Sequence, residues 1–176
     1  NRRELQRPEI LAELLQSLQQ RNAELALRHA YPVSKPLLLK IAPDLTETEI
    51  ESIVSVATSA RISGLIATNT TIGRDGLQTS RAEVEAYGSG GLSGAPLRQR
   101  ANEVIAQIYR MTRGRLPIIG VGGVFTAADA WEKLCAGASL IQLYTGFIYE
   151  GPGVARRINE GLAEILKRER FGSLDD

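Results

Sequence analysis

Apolar positions follow two alternating rhythms along this chain. After Pro8, which suits a first helical position, Leu11, Leu14, Leu15, Leu18 and later Leu25 recur at helical spacing among Glu, Gln and Arg. The spacing predicts a long amphipathic helix ending before Tyr31-Pro32. The run Leu37-Leu38-Leu39-Lys40-Ile41 follows Pro36 and is apolar on both faces, the pattern of a buried parallel strand. Thr46 and Glu49 then form a capping-box pattern, with Ile50, Ile53, Val54 and Ala57 along one helix face. Gly64-Leu65-Ile66-Ala67-Thr68 predicts the next strand. Pro96 opens a helix whose inward face is Leu97, Ala101, Val104, Ile105 and Ile108. A strand over 116–120 leads to a short helix with Thr126 as its N-cap and Gly137 beyond its end. After a further strand over 139–143, a final helix carries Val154, Ile158, Leu162, Ile165 and Leu166.

The order is a helix followed by four strand–helix units. Strict alternation implies a parallel sheet with helices packed outside it. Four such units make half of a (β/α)8 barrel, whose first and last strands would be left with unpaired edges. A doubly wound sheet is the alternative. Against it, the glycine turns lie late in the chain and no G-x-G-x-x-G follows the first strand. No linker or shift in composition divides residues 1–176, which read as one structural unit. One connection is unusually long: residues 71–95 carry Gly73, Gly76, Gly88, Gly90, Gly91 and Gly94. Loops of that length usually serve as lids or binding loops.

Composition narrows the classes without choosing among them. The chain's 176 residues are 43% hydrophobic and 23% charged, ordinary for a globular domain with a sizeable core. A net charge of +1, with no basic run interleaved with aromatics, gives no reason to invoke nucleic acid. The single Cys135 cannot form an internal disulfide, which is compatible with a reducing compartment. No apolar stretch approaches the roughly 20 residues needed to span a bilayer. Asn1-Arg2-Arg3-Glu4 lacks an initiator Met and the apolar core of a signal peptide, so it reads as an internal starting point. The tail Ser173-Leu174-Asp175-Asp176 is expected to be loose.

Two strings at strand ends suggest chemistry. Gly120-Val121-Gly122-Gly123 and Leu143-Tyr144-Thr145-Gly146 each close an apolar strand and lead into a helical pattern. Glycine lets a ligand approach the backbone, and bare N–H groups at a helix start attract anions. Two such turns after consecutive strands match the phosphate-binding corner formed after strands 7 and 8 of a (β/α)8 barrel. Active sites of barrels lie at the C-terminal strand ends, which singles out Lys40, Thr68-Asn69-Thr70, Gly122-Gly123 and Tyr144-Thr145. Lys40, inside an apolar strand, points either at an anionic ligand or at a structural carboxylate such as Asp44. Asn69 and Thr70 either orient a planar ligand or only cap the loop that follows. His29 reads as a surface or packing residue, Cys135 as an inert buried thiol, and Trp131 as packing. Arg156, Arg157, Lys167, Arg168 and Arg170 read as the solvated face of an outer helix, with an acidic membrane surface or partner as the alternative. No spacing of His, Cys and carboxylates suggests a metal site, and no nucleophile–base pair is evident.

With these residues in view, the chain resembles the C-terminal half of dihydroorotate dehydrogenase, in particular the class 2, quinone-dependent, membrane-associated family. The matching strings are Leu39-Lys40-Ile41-Ala42-Pro43-Asp44-Leu45, Ala67-Thr68-Asn69-Thr70-Thr71, Gly90-Gly91-Leu92-Ser93-Gly94-Ala95-Pro96-Leu97, Pro117-Ile118-Ile119-Gly120-Val121-Gly122-Gly123 and Gln142-Leu143-Tyr144-Thr145-Gly146. Their order and spacing fit over nearly the whole chain.

The resemblance implies a (β/α)8 TIM barrel holding FMN, of which this chain supplies about the last four βα units. It implies oxidation of dihydroorotate to orotate in pyrimidine (UMP) biosynthesis, with a quinone as electron acceptor. By motif, Lys40 would lie near the flavin's pyrimidine edge, and Thr68 would contact the flavin. Asn69 and Thr70 would bind substrate. Gly94, Gly122, Gly123, Tyr144 and Thr145 would line the ribityl chain and phosphate, with Ser93 close by. The family's catalytic base, a serine in class 2, would lie upstream of this chain, so no catalytic residue is expected within it. The N-terminal half of the barrel and the region that meets quinone and membrane would be upstream too. The implied location is peripheral, on a mitochondrial inner or bacterial cytoplasmic membrane. The alternatives are another FMN- or phosphate-binding barrel enzyme and a non-catalytic flavin-binding half-barrel module.

Overall fold

The structure, a computed structural model, describes residues 4–174. The start at residues 1–3 and the last two positions of the tail, Asp175 and Asp176, lie outside the described residues. Helix α1 (Pro8–Arg28) begins at the proline and buries Leu11, Leu15 and Ala26, while Leu14 and Leu18 of the same stripe stay exposed. Strand β1 (Leu38–Ile41) follows, then α2 (Glu47–Ser59). Thr46 and Glu49 close the expected capping box: Glu49 N donates to Thr46 Oγ1 at 3.3 Å, and Thr46 N donates to Glu49 Oε2 at 2.7 Å. These bonds from Thr46 hold the Glu49 carboxyl below its ordinary range.

Strand β2 (Gly64–Ala67) opens the long connection, which contains the short helix α3 (Arg81–Ala86). The periodicity over six residues was too brief to predict it. Ser80, with Glu83 three positions on, is the local signal, and Glu83 N donates to Ser80 Oγ at 3.3 Å. The connection is a closed excursion. Thr71 and Leu92 form an antiparallel bridge at its base, with N–H···O distances of 3.0 and 2.7 Å. The chain continues through α4 (Arg98–Thr112), β3 (Ile118–Val121), α5 (Ala127–Cys135) and β4 (Leu140–Gln142). It ends with the short α6 (Thr145–Glu150) and α7 (Val154–Glu169).

The four strands are all parallel and lie in sequence order, β1-β2-β3-β4. A doubly wound sheet reverses its order at a switch point; this one does not. Sequential order with a helix between successive strands is the topology of a barrel segment, with β1 and β4 as edges.

The two faces of the sheet differ. Ile41, Ala67 and Gly120 stand in register with Ile141, and Leu65 with Ile118. These residues pack under α1, α2 and α4, where Ile41, Leu65, Ala67, Ile118, Val104, Ile105 and Ile108 are all fully buried. The opposite face presents Lys40, Ile66, Ile119 and Leu140 in one row. Its ends are open, with Leu140 63% exposed. The apolar run before Ile41 is therefore not buried on both faces as its composition suggested. Leu38 and Lys40 are exposed because they alternate onto the open face of edge strand β1, which no element among the described residues covers.

A second core joins α5 to α7 through Val124, Ala130, Val154, Ile158 and Leu162, with Trp131 packed 6.0 Å from the Phe171 ring. His29 lies on the surface at the end of α1, 6.3 Å from the Tyr31 ring. Arg156, Arg157 and Arg168 are solvated and paired with Glu160, Glu150 and Glu169. Cys135 corrects the sequence reading: it is exposed, because the last turn of α5 carries it past the core. Partial burial still pushes its thiol up, so it carries little thiolate at neutral pH.

Candidate active site

The C-terminal ends of all four strands converge on one cavity of about 250 Å³. Its lining includes every residue the sequence singled out: Lys40, Thr68, Asn69, Thr70, Gly94, Gly122, Gly123, Tyr144 and Thr145. Strands β2, β3 and β4 deliver their parts within three residues of their ends, Lys40 is the penultimate residue of β1, and Gly94 comes from the end of the long excursion. The helix-facing alternation thus fixes which side chains reach the mouth.

The two alternatives for Lys40 separate here. Asp44 accepts from the Thr71 hydroxyl and from Ile72 N at 3.3 Å. Lys40 itself makes no ion pair among the described residues. Its ammonium is exposed on the open face and lines the cavity, so it is available to a ligand.

The same comparison settles the loop cap. Capping falls to Thr71, whose hydroxyl accepts from Gly73 N at 2.9 Å and bonds Asp44. Asn69 N donates to Ile41 O at 2.7 Å, which ties the strand end to β1. The Asn69 side-chain amide has no hydrogen-bond partner among the described residues. Thr70 packs against Gly91, where any side chain would overlap it. Thr68 is buried and donates its hydroxyl to Asn69 O at 3.0 Å. One wall of the cavity therefore carries two uncommitted donors, the Asn69 amide and the Lys40 ammonium, beside a Thr68 hydroxyl already bonded to the backbone.

The opposite wall is built from turns. Gly122 and Gly123 adopt φ of +119° and +69°, conformations that L side chains rarely enter. A Cβ on Gly123 would lie 2.5 Å from Arg98 Cβ and 2.9 Å from Arg98 N, so this turn sits directly on the start of α4. Gly146 packs equally close to the Val124 carbonyl. The first helical bond of α6 runs from Ile148 N to Tyr144 O at 3.2 Å, which leaves the amides of Thr145, Gly146 and Phe147 outside the helical ladder. Thr145 Oγ1 donates to Ser93 Oγ at 2.9 Å and fastens α6 to the end of the long excursion. Free amides beside glycine turns make an anion cradle.

Sequence reasoning missed a polar cluster behind this wall. Asp129 is buried and accepts from Phe125 N at 3.0 Å, from Thr126 N at 2.9 Å and from Arg98, with which it forms an ion pair. Burial tends to raise its carboxyl, but the bonds from Phe125, Thr126 and Arg98 overcome that and hold it below its ordinary range. Lys133 is fully buried and donates to Asn102 Oδ1 at 2.7 Å. Burial lowers its pKa to about 8, opposed by the nearby Glu132 and Asp129 carboxylates and helped by Arg98. The available signal was Thr126-x-x-Asp129, a capping box, with Lys133 four residues on along the same helix face.

Known proteins resemble this chain in sequence and fold. The dihydroorotate dehydrogenase family model matches residues 2–166. The protein named dihydroorotate dehydrogenase (quinone) in Acaryochloris marina is 51% identical over 99% of this chain and 45% of its own length. The protein of that name in Gloeobacter violaceus is 51% identical over 98% of this chain and 45% of its own length. The solved dihydroorotate dehydrogenase of Eimeria tenella in complex with ferulenol superposes with a TM-score of 0.85 at 36% identity, covering 95% of this chain and 46% of that one. The chain thus spans under half the length of these relatives, and its four βα units are the last units of their (β/α)8 barrel. On its sequence, its sheet topology and the residues gathered at its strand ends, this chain belongs to the dihydroorotate dehydrogenase family.

Proposed function

We propose that residues 1–176 are the C-terminal half of a single-domain, quinone-dependent dihydroorotate dehydrogenase of class 2, in which this cavity forms much of an FMN site and part of the substrate site. The observation that carries the reading is the convergence of nine motif residues from four separate βα units on one cavity. The uncovered row of Lys40, Ile66, Ile119 and Leu140 supports a missing half that would close the barrel over it. Size supports it as well. A cavity of about 250 Å³ falls short of the roughly 300–1,000 Å³ usual for cofactor sites, as part of a wall would.

The residues fit the group. The phosphate end needs close backbone approach and free amides, which Gly122, Gly123 and the start of α6 offer. The ring end needs polar groups and a cation, which Thr68, Asn69, Thr70 and Lys40 offer. When bound, FMN supplies the redox chemistry that takes two electrons from dihydroorotate and delivers them to a quinone. Within this chain, Lys40 would hold a positive charge beside the ring and favour the negative charge gained on reduction. Asn69 and Thr70 would orient the planar substrate and its carboxylate. Gly94, Tyr144 and Thr145 would exclude water along the cofactor's tail.

The base that removes the substrate proton, a serine by resemblance, would come from the other half of the barrel. So would the region that meets quinone and a bacterial cytoplasmic or mitochondrial inner membrane. Among the described residues no helix is long and apolar enough to cross a membrane. Joining the chain to that half gives the complete barrel. Dihydroorotate-dependent quinone reduction by the folded, FMN-loaded barrel tests the proposal, and its absence would refute it.

A further inference from the structure

We infer that the Arg98–Asp129 ion pair is a positioning device for the anion cradle: it clamps the Gly122-Gly123 turn against α4, and flavin phosphate recognition depends on it. The inference rests on the FMN reading of the cavity and extends it to residues that do not line the phosphate end themselves.

Three observations meet at one carboxylate. Asp129 Oδ2 accepts from Phe125 N and Thr126 N, at 3.0 and 2.9 Å, and so fixes the two residues that follow the turn and Val124. Its other oxygen takes the Arg98 guanidinium, which belongs to α4 rather than α5. The backbone of that same Arg98 is the surface on which Gly123 sits, with Cα 2.8 Å and N 2.9 Å from where a Cβ would be. One residue therefore contacts the turn through its backbone and holds the turn's exit through its side chain. The clamp closes a ring: β3, turn, Asp129, Arg98, turn.

The surroundings make the ion pair stiff. Asp129 is 4% exposed, and the charges around it are few and specific. Glu132 lies 4.0 Å from Arg98 Nε and accepts from Asn102 Nδ2 at 3.2 Å, while Lys133 donates to Asn102 Oδ1 at 2.7 Å. A buried carboxylate that loses its cation must find another partner or neutralise, which keeps the half-exposed Arg98 guanidinium on Asp129. The cradle's reach extends across to α6, because Gly146 packs on the carbonyl of Val124, the residue before Phe125. A shift at Phe125 is thereby passed to the amides at the start of α6.

A residue that only stabilises the fold would weaken every ligand of the cavity alike. A clamp on the cradle affects phosphate selectively. The test uses the complete barrel stripped of cofactor and titrates FMN and riboflavin, which lacks the phosphate, into wild type, Asp129→Asn and Arg98→Gln. Asp129→Asn keeps an acceptor for the two amides and removes the ion pair. Arg98→Gln, at a half-exposed side chain, is the milder variant should the first fold poorly.

The expected result is an FMN affinity lowered at least about tenfold in both variants, the loss equivalent to one charge-assisted hydrogen bond, with riboflavin affinity changed less than about twofold. Amide hydrogen exchange in the cofactor-free protein should quicken at residues 122–126 and stay unchanged in α2. Equal losses for both flavins, or no loss for either, would overturn the inference while leaving the FMN reading intact. Wild type that binds FMN no better than riboflavin would overturn the phosphate reading on which both stand.

Discussion

Gly123→Ala puts the site's geometry to a quantitative test. At φ +69° the residue occupies the left-handed region, where an L side chain costs roughly 1–2 kcal/mol. The added methyl would also stand 2.5 Å from Arg98 Cβ, 2.8 Å from Arg98 Cα and 2.9 Å from Arg98 N. Carbon–carbon contact is comfortable near 3.5–4.0 Å, so the turn or the start of α4 must retreat by about 1 Å. Two of the three opposing atoms are backbone, which cannot swing aside as a side-chain tip could. Overpacking of this kind costs roughly 1–3 kcal/mol, for a combined loss of about 2–5 kcal/mol. For a complete barrel roughly twice the length of this chain that is a fall in Tm on the order of 2–6 °C. Because the turn lines the cavity, FMN affinity should fall with it. Gly90→Ala is the control: its Cβ would meet nothing within 4 Å, so stability should stay within about 0.5 kcal/mol of wild type. The assay is thermal unfolding of the complete barrel with a parallel FMN titration. Gly123→Ala with the Tm and FMN affinity of wild type would refute the packing argument.

Other expectations follow from single residues. Lys133 has its pKa lowered from 10.5 to about 8 by burial, so between those values the unfolded chain binds a proton that the folded chain does not. Stability should therefore gain from this group as pH rises from 8 towards 10.5, by up to about 3 kcal/mol, and below pH 8 the fold bears the cost of the buried charge. Denaturant unfolding across that window should show the gain in wild type and a flat contribution in Lys133→Met; identical pH profiles would contradict it. Asn69→Ala should weaken orotate roughly tenfold to a hundredfold with FMN affinity unchanged, measured by titration of each ligand. Lys40→Ala should make the bound flavin's midpoint potential more negative by about 30 mV or more, because a cation that favours the reduced ring is lost. A potential unchanged or raised would remove Lys40 from the flavin's edge.

Much of this was legible in the sequence for a physical reason. Helix and strand periods alternated strictly, and every candidate except Lys40, inside its strand, and Gly94, on the long connection, lay one to three residues past an apolar strand, where a parallel sheet delivers its C-terminal ends. Thr46 and Thr126 announced their helices because capping is local. Burial and long-range pairing were less legible. The Leu37–Ile41 run looked fully buried because composition cannot say which face of a strand is covered. Asp44 resembled a partner for Lys40 until the excursion folded back and placed Thr71 and Ile72 on it. Nothing local marked Lys133 as buried, since its partner Asn102 is thirty-one residues away on another helix. Helix α3 was missed because six residues give too little periodicity to outweigh six glycines.

The most direct test of the central claim is an anaerobic spectrum. The complete barrel, purified with its flavin, should lose the yellow absorbance when dihydroorotate is added and recover it when a quinone follows. Folded, FMN-loaded protein whose absorbance dihydroorotate leaves unchanged would contradict the account.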